Sequence, residues 1–241
     1  WQELVAEFCD DIARDQTVIL IGNSVGGTVA LCAAASRWGR EMRRVGGVVL
    51  LNCGAGMNSK FLTSARLIPL GFRLFFSLFF AVFDLLVSIR PLAELGFKSL
   101  ATRETVTQAL QGVYVNKDAV DDELVDSVLE PAADPAALDV FLKVFTGDPG
   151  KSPDELFPAV ACPVKMIWGD DDPVTPLDGA AAYFGRYFCG LAEDPQQPDI
   201  TMDIIHAGHV PQDDSPDAVH DKMLPWLATL PPAAPAKVEA P

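Results

Sequence analysis

The sequence predicts an α/β fold in which helices flank a mostly parallel sheet. Four runs have the apolar or β-branched character of strands, at residues 17–21, 45–52, 163–168 and 200–205. Helical patterns separate these runs, and a strand–helix–strand order favours parallel pairing. The uniformly apolar run at 17–21 is typical of a strand buried on both faces. At 241 residues the chain is long enough for one domain with an insertion.

Composition argues against a nucleic-acid partner and against a structural zinc site. The net charge is −15 and the sequence pI is near 4.4, with no run of Lys and Arg, so no nucleic-acid partner is expected. The five cysteines are scattered without a C-x-x-C pair, which favours a reducing compartment and no structural zinc.

The turn after the first strand carries the first chemical motif. Residues 1–14 form an amphipathic helix that leads into the strand, and Gly22-Asn-Ser24-Val25-Gly26-Gly then precedes a small, apolar helical run. This G-x-S-x-G between strand and helix is the context of a nucleophile elbow. Ser24 is expected to adopt a strained backbone conformation, with Gly22 and Gly26 removing side-chain collisions. The Val25 amide, at a helix N-terminus, is the predicted oxyanion donor.

The middle of the chain predicts a helical insertion. Strand patterns disappear from residue 54 to about residue 157, so this segment is a predicted helical cap or lid. Residues 1–53 and 158–230 then form the core. The Pro/Ala-rich stretch at 231–241 is predicted to be a disordered tail.

A phenylalanine-rich run at 74–83 lies inside this cap. Ten residues are too few to span a bilayer core as a helix, which takes ~20. Extending the run to 67–89 reaches that length but includes one proline and two charged residues. A membrane-spanning helix, a buried cap helix, and a lid face that contacts a lipid-like substrate or a membrane surface all stay open. On the last interpretation, Phe72, Phe76 and Phe79 are the candidate substrate-binding residues.

Three histidines are available to activate the serine. His220 lies within the last predicted helix, where a solvated position is expected. His206 ends a strand, which favours a structural role. His209 lies in a loop directly after the last strand, and such loops meet at the carboxyl edge of a parallel sheet, where the elbow also opens. His209 is therefore the predicted base.

The acid is expected in the loop after the strand at 163–168. Three adjacent aspartates there are compatible with a metal site, a solvated loop or one functional residue with two neighbours. Adjacent side chains diverge and no histidine is near in sequence, so no metal and no cofactor is predicted. The Gly-x-x-Asp-Pro pattern resembles the acid turn of α/β-hydrolases, which makes Asp172 the acid and Asp170 the second choice. A Ser24, Asp172, His209 order predicts an α/β-hydrolase fold with an inserted helical cap.

A serine nucleophile argues against dehalogenases and epoxide hydrolases of this fold, whose nucleophile is an aspartate. Acyl transfer to water is favoured, so the chain is predicted to be a serine ester hydrolase.

Several longer phrases carry a more specific signal, at residues 22–27, 51–58, 113–122, 168–179, 209–214 and 224–227. These phrases resemble the chlorophyll dephytylases, plastid α/β-hydrolases related to pheophytinase, and the resemblance covers about residues 1–230. It implies hydrolysis of the phytyl ester of chlorophyll or a close derivative, in the chloroplast and at the thylakoid membrane. It therefore implies an apolar, chlorophyll-like ester as partner and membrane-surface association as a further possibility.

Two other functions stay open on the same fold: hydrolysis of another apolar ester or of a carbon–carbon bond, and ligand binding by a receptor that uses the hydrolase pocket.

The region before the first strand lacks two expected features of the fold. No His-Gly phrase precedes the strand at 17–21, so the loop with the second oxyanion donor, and the strands normally found before the elbow, are expected to belong to a longer protein. The strand at 17–21 would then be an apolar sheet edge.

Overall fold

A four-stranded parallel sheet forms the centre of the fold. The computed structural model describes residues 1–14, 16–42, 44–179 and 182–231. The predicted tail therefore lies outside the described residues, apart from Pro231. The strands are β1 (Val18–Asn23), β2 (Val45–Leu51), β3 (Val164–Gly169) and β4 (Ile200–Ile205). They pair in the order β1-β2-β3-β4, and all three pairings are parallel, as the sequence predicted.

The described part of the chain divides into two compact units. The first comprises Trp1–Ala55 and the residues from Lys151 onwards, and the second comprises Gly56–Gly150. The helices of the first unit are α1 (Gln2–Ala13), α2 (Val25–Ala35), α3 (Arg37–Arg40), α10 (Pro153–Leu156), α11 (Tyr183–Glu193), α12 (Pro211–Asp214) and α13 (Pro216–Thr229). The helices of the second unit are α4 (Phe61–Ser64), α5 (Leu70–Val87), α6 (Arg90–Leu100), α7 (Arg103–Val113), α8 (Asp122–Ala132) and α9 (Ala137–Thr146).

The core of the first unit is built on the two central strands. Every residue of β3 is buried, and β2 is buried except at Gly46. Helix α2, rich in alanine, packs against β1 and β2, while α13 packs against β3 and β4. Small side chains let α2 lie close to the sheet, so the turn at its N-terminus is held between strand and helix. This arrangement rigidly positions the loops at the carboxyl ends of the strands.

Strand β1 is not buried on both faces, contrary to the prediction. Only Leu20 is buried along β1, while Ile19 and Ile21 are exposed, Ile21 to 50%. Ile19 and Ile21 point to the same face of β1, opposite to Leu20, so one face of the strand is left partly uncovered. Among the described residues β1 pairs with β2 alone, so it lies at the edge of the sheet, as an apolar strand with one free side.

The second unit is entirely helical in its described regular structure and ends earlier than predicted. The sequence placed the end of the helical cap at 157, whereas residues from Lys151 belong to the first unit. Helix α10 and the following turn pack against α2, burying Leu156 and Phe157. Periodicity does not reveal this because a short helix looks the same on either unit.

Helix α5 contains the phenylalanine-rich run and has no buried residue. The buried-cap-helix interpretation is therefore not what the structure shows. By length and composition, α5 is the one described helix that is long and apolar enough to cross a membrane. Its two charged residues are both half-buried and hydrogen-bonded within the unit: Arg73 Nε donates to Thr63 O, and Asp84 accepts from Lys60 Nζ.

Candidate active site

Ser24 occupies the sharp turn between β1 and α2. Its backbone lies at φ 51° and ψ −121°, a region that L-residues rarely adopt. The end of β2 secures this strained turn from two sides. Ser24 N donates to Leu51 O at 3.0 Å, and Gly54 N donates to Ser24 O at 2.8 Å. The strain is therefore maintained by hydrogen bonds to the central strand.

The two glycines of the elbow have different roles. A Cβ on Gly22 would lie 2.3 Å from Gly26 O, so only glycine fits at position 22. A Cβ on Gly26 would meet no atom within 4 Å outside its own helix and its neighbours. The prediction that both positions relieve a collision is wrong for Gly26, because the backbone of Gly26 is what approaches Gly22.

Ser24, His209 and Asp172 lie in one hydrogen-bonded row. Ser24 Oγ is 2.9 Å from His209 Nε2. On the other side of the ring, His209 Nδ1 is 3.0 Å from each carboxylate oxygen of Asp172. Ser24 follows β1, Asp172 follows β3 and His209 follows β4, so the parallel sheet brings residues 185 and 37 positions apart together at one edge. In this geometry an imidazole can accept the serine proton while a carboxylate stabilises its charge.

The Asp172 carboxylate is fully buried and surrounded by donors. Val174 N and Thr175 N donate to Oδ1 at 2.7 and 3.0 Å, and Thr175 Oγ1 donates to Oδ2 at 2.5 Å. Burial by itself raises the pKa of Asp172, but hydrogen bonds from His209, Asn52 and Thr175 outweigh burial and hold that pKa well below its usual value. The carboxylate is therefore ionised at neutral pH.

Asn52 is a site residue that the sequence reasoning missed. It is fully buried at the end of β2 with φ 44°. Its Nδ2 donates to Asp172 Oδ2 at 2.5 Å and, more weakly, to Gly208 O at 3.3 Å, while Oδ1 accepts from Gly169 N at 3.1 Å. One side chain thus links the acid loop, the histidine loop and β3. A polar residue ending an otherwise apolar strand was the available signal.

Two further side chains hold the histidine loop. Asn23 Nδ2 donates to His209 O at 2.9 Å and to Leu51 O at 3.0 Å. The buried Asp214 accepts from Gly208 N at 2.5 Å. The residues on both sides of the imidazole are therefore anchored through the backbone, which limits the positions that the His209 ring can take.

A family profile described as the alpha/beta hydrolase family matches residues 1–222. The chain belongs to this family. A comparison with curated protein sequences found no match. Family and site geometry agree with the enzyme class predicted from the sequence, a hydrolase with a serine nucleophile.

Solved structures of hydrolases share the fold at low sequence identity. A thermophilic esterase from Thermogutta terrifontis is 17% identical, with a TM-score of 0.61 over 94% of this chain and 70% of that one. A serine hydrolase involved in carbazole degradation is 18% identical, with a TM-score of 0.60 over 95% and 71%. A meta-cleavage product hydrolase from Pseudomonas fluorescens IP01 is 18% identical, with a TM-score of 0.61 over 95% and 70%. These likenesses confirm the predicted α/β-hydrolase fold.

A second histidine–aspartate pair lies beside the buried one. His206 Nδ1 is 3.1 Å from Asp170 Oδ1, and the two side chains are 75% and 49% exposed. The structure therefore joins the second-choice acid to a different histidine, the exposed His206, for which the sequence predicted a structural role. His220 is exposed, as predicted. The hydrolase thus carries a solvated histidine–aspartate pair that serves as an internal control for the buried one.

The three candidate lid residues all lie on α5 of the second unit. Phe76 is half-buried, at a ring-centroid distance of 6.3 Å from Phe80, whereas Phe72 and Phe79 are exposed. Their role in substrate binding stays a prediction. Among the described residues, no cluster of three or more His, Cys, Asp or Glu side chains has an arrangement that could hold a metal ion.

Proposed function

We propose that the protein is a carboxylic ester hydrolase with Ser24 as nucleophile, His209 as general base and Asp172 as the acid that orients the histidine. The observation that carries this proposal is the continuous hydrogen-bonded row from Ser24 Oγ through both ring nitrogens of His209 to the buried Asp172 carboxylate. A serine hydroxyl is a weak nucleophile until a base removes its proton, and this row supplies that base.

The proposed reaction has two halves. In the first, His209 Nε2 takes the hydroxyl proton as Ser24 Oγ attacks the ester carbonyl, and the imidazolium then gives that proton to the departing alcohol. In the second, His209 takes a proton from water, the hydroxide attacks the acyl-enzyme, and the proton returns to Ser24 as the acid leaves. Because Asp172 is ionised throughout, its charge stabilises each imidazolium.

The oxyanion formed in each half requires a backbone donor near Ser24. Val25 is the first residue of α2, and the first N–H groups of a helix have no acceptor within the helix. We assign the Val25 amide to the oxyanion, since it directly follows the nucleophile and stands at the positive end of the helix dipole.

The proposed substrate is the phytyl ester of chlorophyll or a close derivative. The support is the resemblance of several phrases to chlorophyll dephytylases, including residues 51–58 and 209–214, which frame the site. Asn52 belongs to the first of these phrases and His209 and Asp214 to the second, so the resemblance includes residues that build the site as well as surface positions. A chloroplast location is proposed on the same resemblance.

The first experiment compares two histidines. His209→Ala and Ser24→Ala should each reduce turnover of a soluble p-nitrophenyl ester by ~10⁴-fold or more. His206→Ala, the matched control, should leave turnover unchanged because His206 lies in the exposed pair. An active His209→Ala variant would refute the assignment of the base.

A second experiment tests the substrate. Purified protein is incubated with detergent-solubilised chlorophyll, and released phytol is quantified by gas chromatography over repeated turnovers. Sustained phytol release that Ser24→Ala lacks supports the proposal. Turnover of p-nitrophenyl esters without phytol release would indicate another apolar ester. A single slow burst without turnover would indicate the receptor function.

A further inference from the structure

Helix α5 exposes its apolar residues and turns its charged residues inwards, the opposite of a helix on a soluble protein surface. Twelve of its eighteen residues are exposed, and none of the twelve is charged. Six are half-buried at helical spacing, and these include both charged residues, Arg73 and Asp84. A helix on a water-facing surface normally presents its charges outwards and its apolar stripe inwards. The outer face of α5 is therefore built for an apolar environment.

The inward charges are explained by contacts within the second unit. Lys60 Nζ lies 2.7 Å from Asp84 Oδ2 and also donates to Thr146 O at 2.7 Å. Arg73 Nε donates to Thr63 O at 3.2 Å. These polar contacts attach α5 to the chain around α4, so the protein itself provides the polar side of the helix. An orientation with α5 crossing a bilayer would take these paired charges into hydrocarbon, at a cost of several kcal/mol.

Charge is also unevenly distributed along the chain. Residues 56–100, which contain α5, have five basic and two acidic residues and a net charge of +3. Two of the five, Lys60 and Arg73, are held within the unit by the contacts above. The whole chain has a net charge of −15, so the rest of the protein is strongly acidic. The exposed Arg66 precedes α5 and the exposed Lys98 follows it, whereas the exposed Arg90 is already paired with Glu94 and Asp139. Basic residues beside an apolar face match a membrane surface with anionic headgroups.

We propose that the outer face of α5 is a membrane-docking surface, on which the helix lies in the plane of a bilayer that carries anionic lipid. We define this face by Leu74, Phe75, Leu78, Phe79, Val82, Leu85 and Leu86, all exposed. The helix rises about 1.5 Å per residue, so it presents an apolar strip about 27 Å long to the lipid. Its acyl-facing side chains provide affinity, and the flanking basic residues provide the preference for anionic headgroups. This surface goes beyond the ester hydrolysis proposed above and does not depend on it.

The test is flotation of the full chain with vesicles of phosphatidylcholine alone and of an equimolar mixture with phosphatidylglycerol. The wild type should bind both and prefer the mixture. Leu78→Ser, which changes a side chain that is 69% exposed, should weaken binding to both by about tenfold, since burying one such side chain is worth about 1.5 kcal/mol or more. Arg66→Glu should weaken binding to the mixture alone.

The matched control is Leu224→Ser on α13, a leucine that is 54% exposed outside the second unit. It should bind vesicles like the wild type. Leu78→Ser should also retain turnover of a soluble ester, which shows that it folds. Equal binding by Leu78→Ser and Leu224→Ser would overturn the proposal. The proposal would also be overturned if the wild type formed a dimer, did not bind vesicles, and became a monomer on Leu78→Ser. The face would then join two copies of the chain. If alkaline carbonate failed to extract the vesicle-bound protein, the in-plane orientation of α5 would be overturned.

Discussion

Replacing Asp172 by asparagine tests the proposed site most directly, because the change removes a charge without removing volume. The carboxylate accepts from Val174 N and Thr175 N on one oxygen and from Asn52 Nδ2 and Thr175 Oγ1 on the other. The two backbone donors are fixed, so the asparagine oxygen is expected to face them. Its amide nitrogen then faces the side chains and His209. An amide that donates to Nδ1 selects the tautomer with a proton on Nε2.

That tautomer places an N–H against Ser24 Oγ, where a proton acceptor is needed. The ring nitrogen is 2.9 Å from the hydroxyl, too close for any other group to act as the base between them. Loss of the correct tautomer in a serine triad lowers kcat by about 10⁴-fold, which corresponds to about 5 kcal/mol of transition-state stabilisation. Asp172→Asn should therefore retain substrate binding and lose turnover.

The assay is steady-state hydrolysis of a soluble ester by Asp172→Asn and by Asp170→Asn. Asp170 is about half exposed and pairs with the still more exposed His206, so its replacement should change kcat by less than about twofold. Thermal unfolding of both variants checks that they are folded. Full activity in Asp172→Asn, or a large loss in Asp170→Asn alone, would refute the assignment of the acid.

The same variant gives a stability test with a definite sign. The folded-state pKa of Asp172 lies below its unfolded value of about 3.9, so the ionised carboxylate stabilises the fold above that pH. This stabilisation is lost as the pH falls through the folded-state pKa. Asparagine does not titrate, so the difference in unfolding free energy between wild type and Asp172→Asn should shrink below pH ~4. A difference that is constant from neutral pH to pH ~3 would contradict the hydrogen-bonding account.

Three further predictions concern the elbow, the missed asparagine and the lid. Gly22→Ala should lower the unfolding free energy by about 1–3 kcal/mol or more through its clash, whereas Gly26→Ala, the matched control, should be neutral or slightly stabilising in urea unfolding. Asn52→Gly keeps the backbone conformation but loses the amide. It should lower kcat more than it changes KM and reduce stability by about 2–4 kcal/mol. Phe79→Ser should raise KM for long-chain esters more than for short ones, and equal effects on both esters would count against a lid role. Phe76 lies on the half-buried side of the helix, so Phe76→Ser should lower the melting temperature.

The sequence predicted the parts of the site that depend on local order. A strand, a sharp turn and a helix around Ser24 are visible as a pattern, and residues directly after strands of a parallel sheet must meet at one edge. This order along the chain is sufficient to predict that Asp172 and His209 belong to the same site. Asn52 and Asp214 were missed because their roles depend on which backbone groups approach them. Asn52 meets Asp172 across 120 residues, a contact that no periodicity encodes.

Helix α5 shows a different limit of sequence reasoning. Its composition indicates an apolar environment but does not distinguish protein interior from lipid, so burial inside the cap was among the expected outcomes. The positions of its charged residues indicate which side of the helix is uncharged. Arg73 and Asp84 are eleven residues apart, about three helical turns, and therefore lie near the same side of the helix. The rest of the helix surface is therefore uncharged, and the structure shows that this uncharged surface is the exposed one.

The carboxyl end of β2 connects the three loops that carry the proposed chemistry. Leu51 O accepts from the backbone of Ser24 and from the side chain of Asn23, and the next residue, Asn52, reaches the acid and histidine loops. Both Ser24 and Asn52 have positive φ, so two unfavourable conformations stand side by side at this point. They persist because β2 is buried between β1 and β3 and cannot relax independently. Since the nucleophile and the residue that binds the acid depend on the same strand end, a core substitution in β2 should disturb both sides of the imidazole together. A substitution in β4 should act mainly through the histidine loop, since His209 and Gly208 follow that strand.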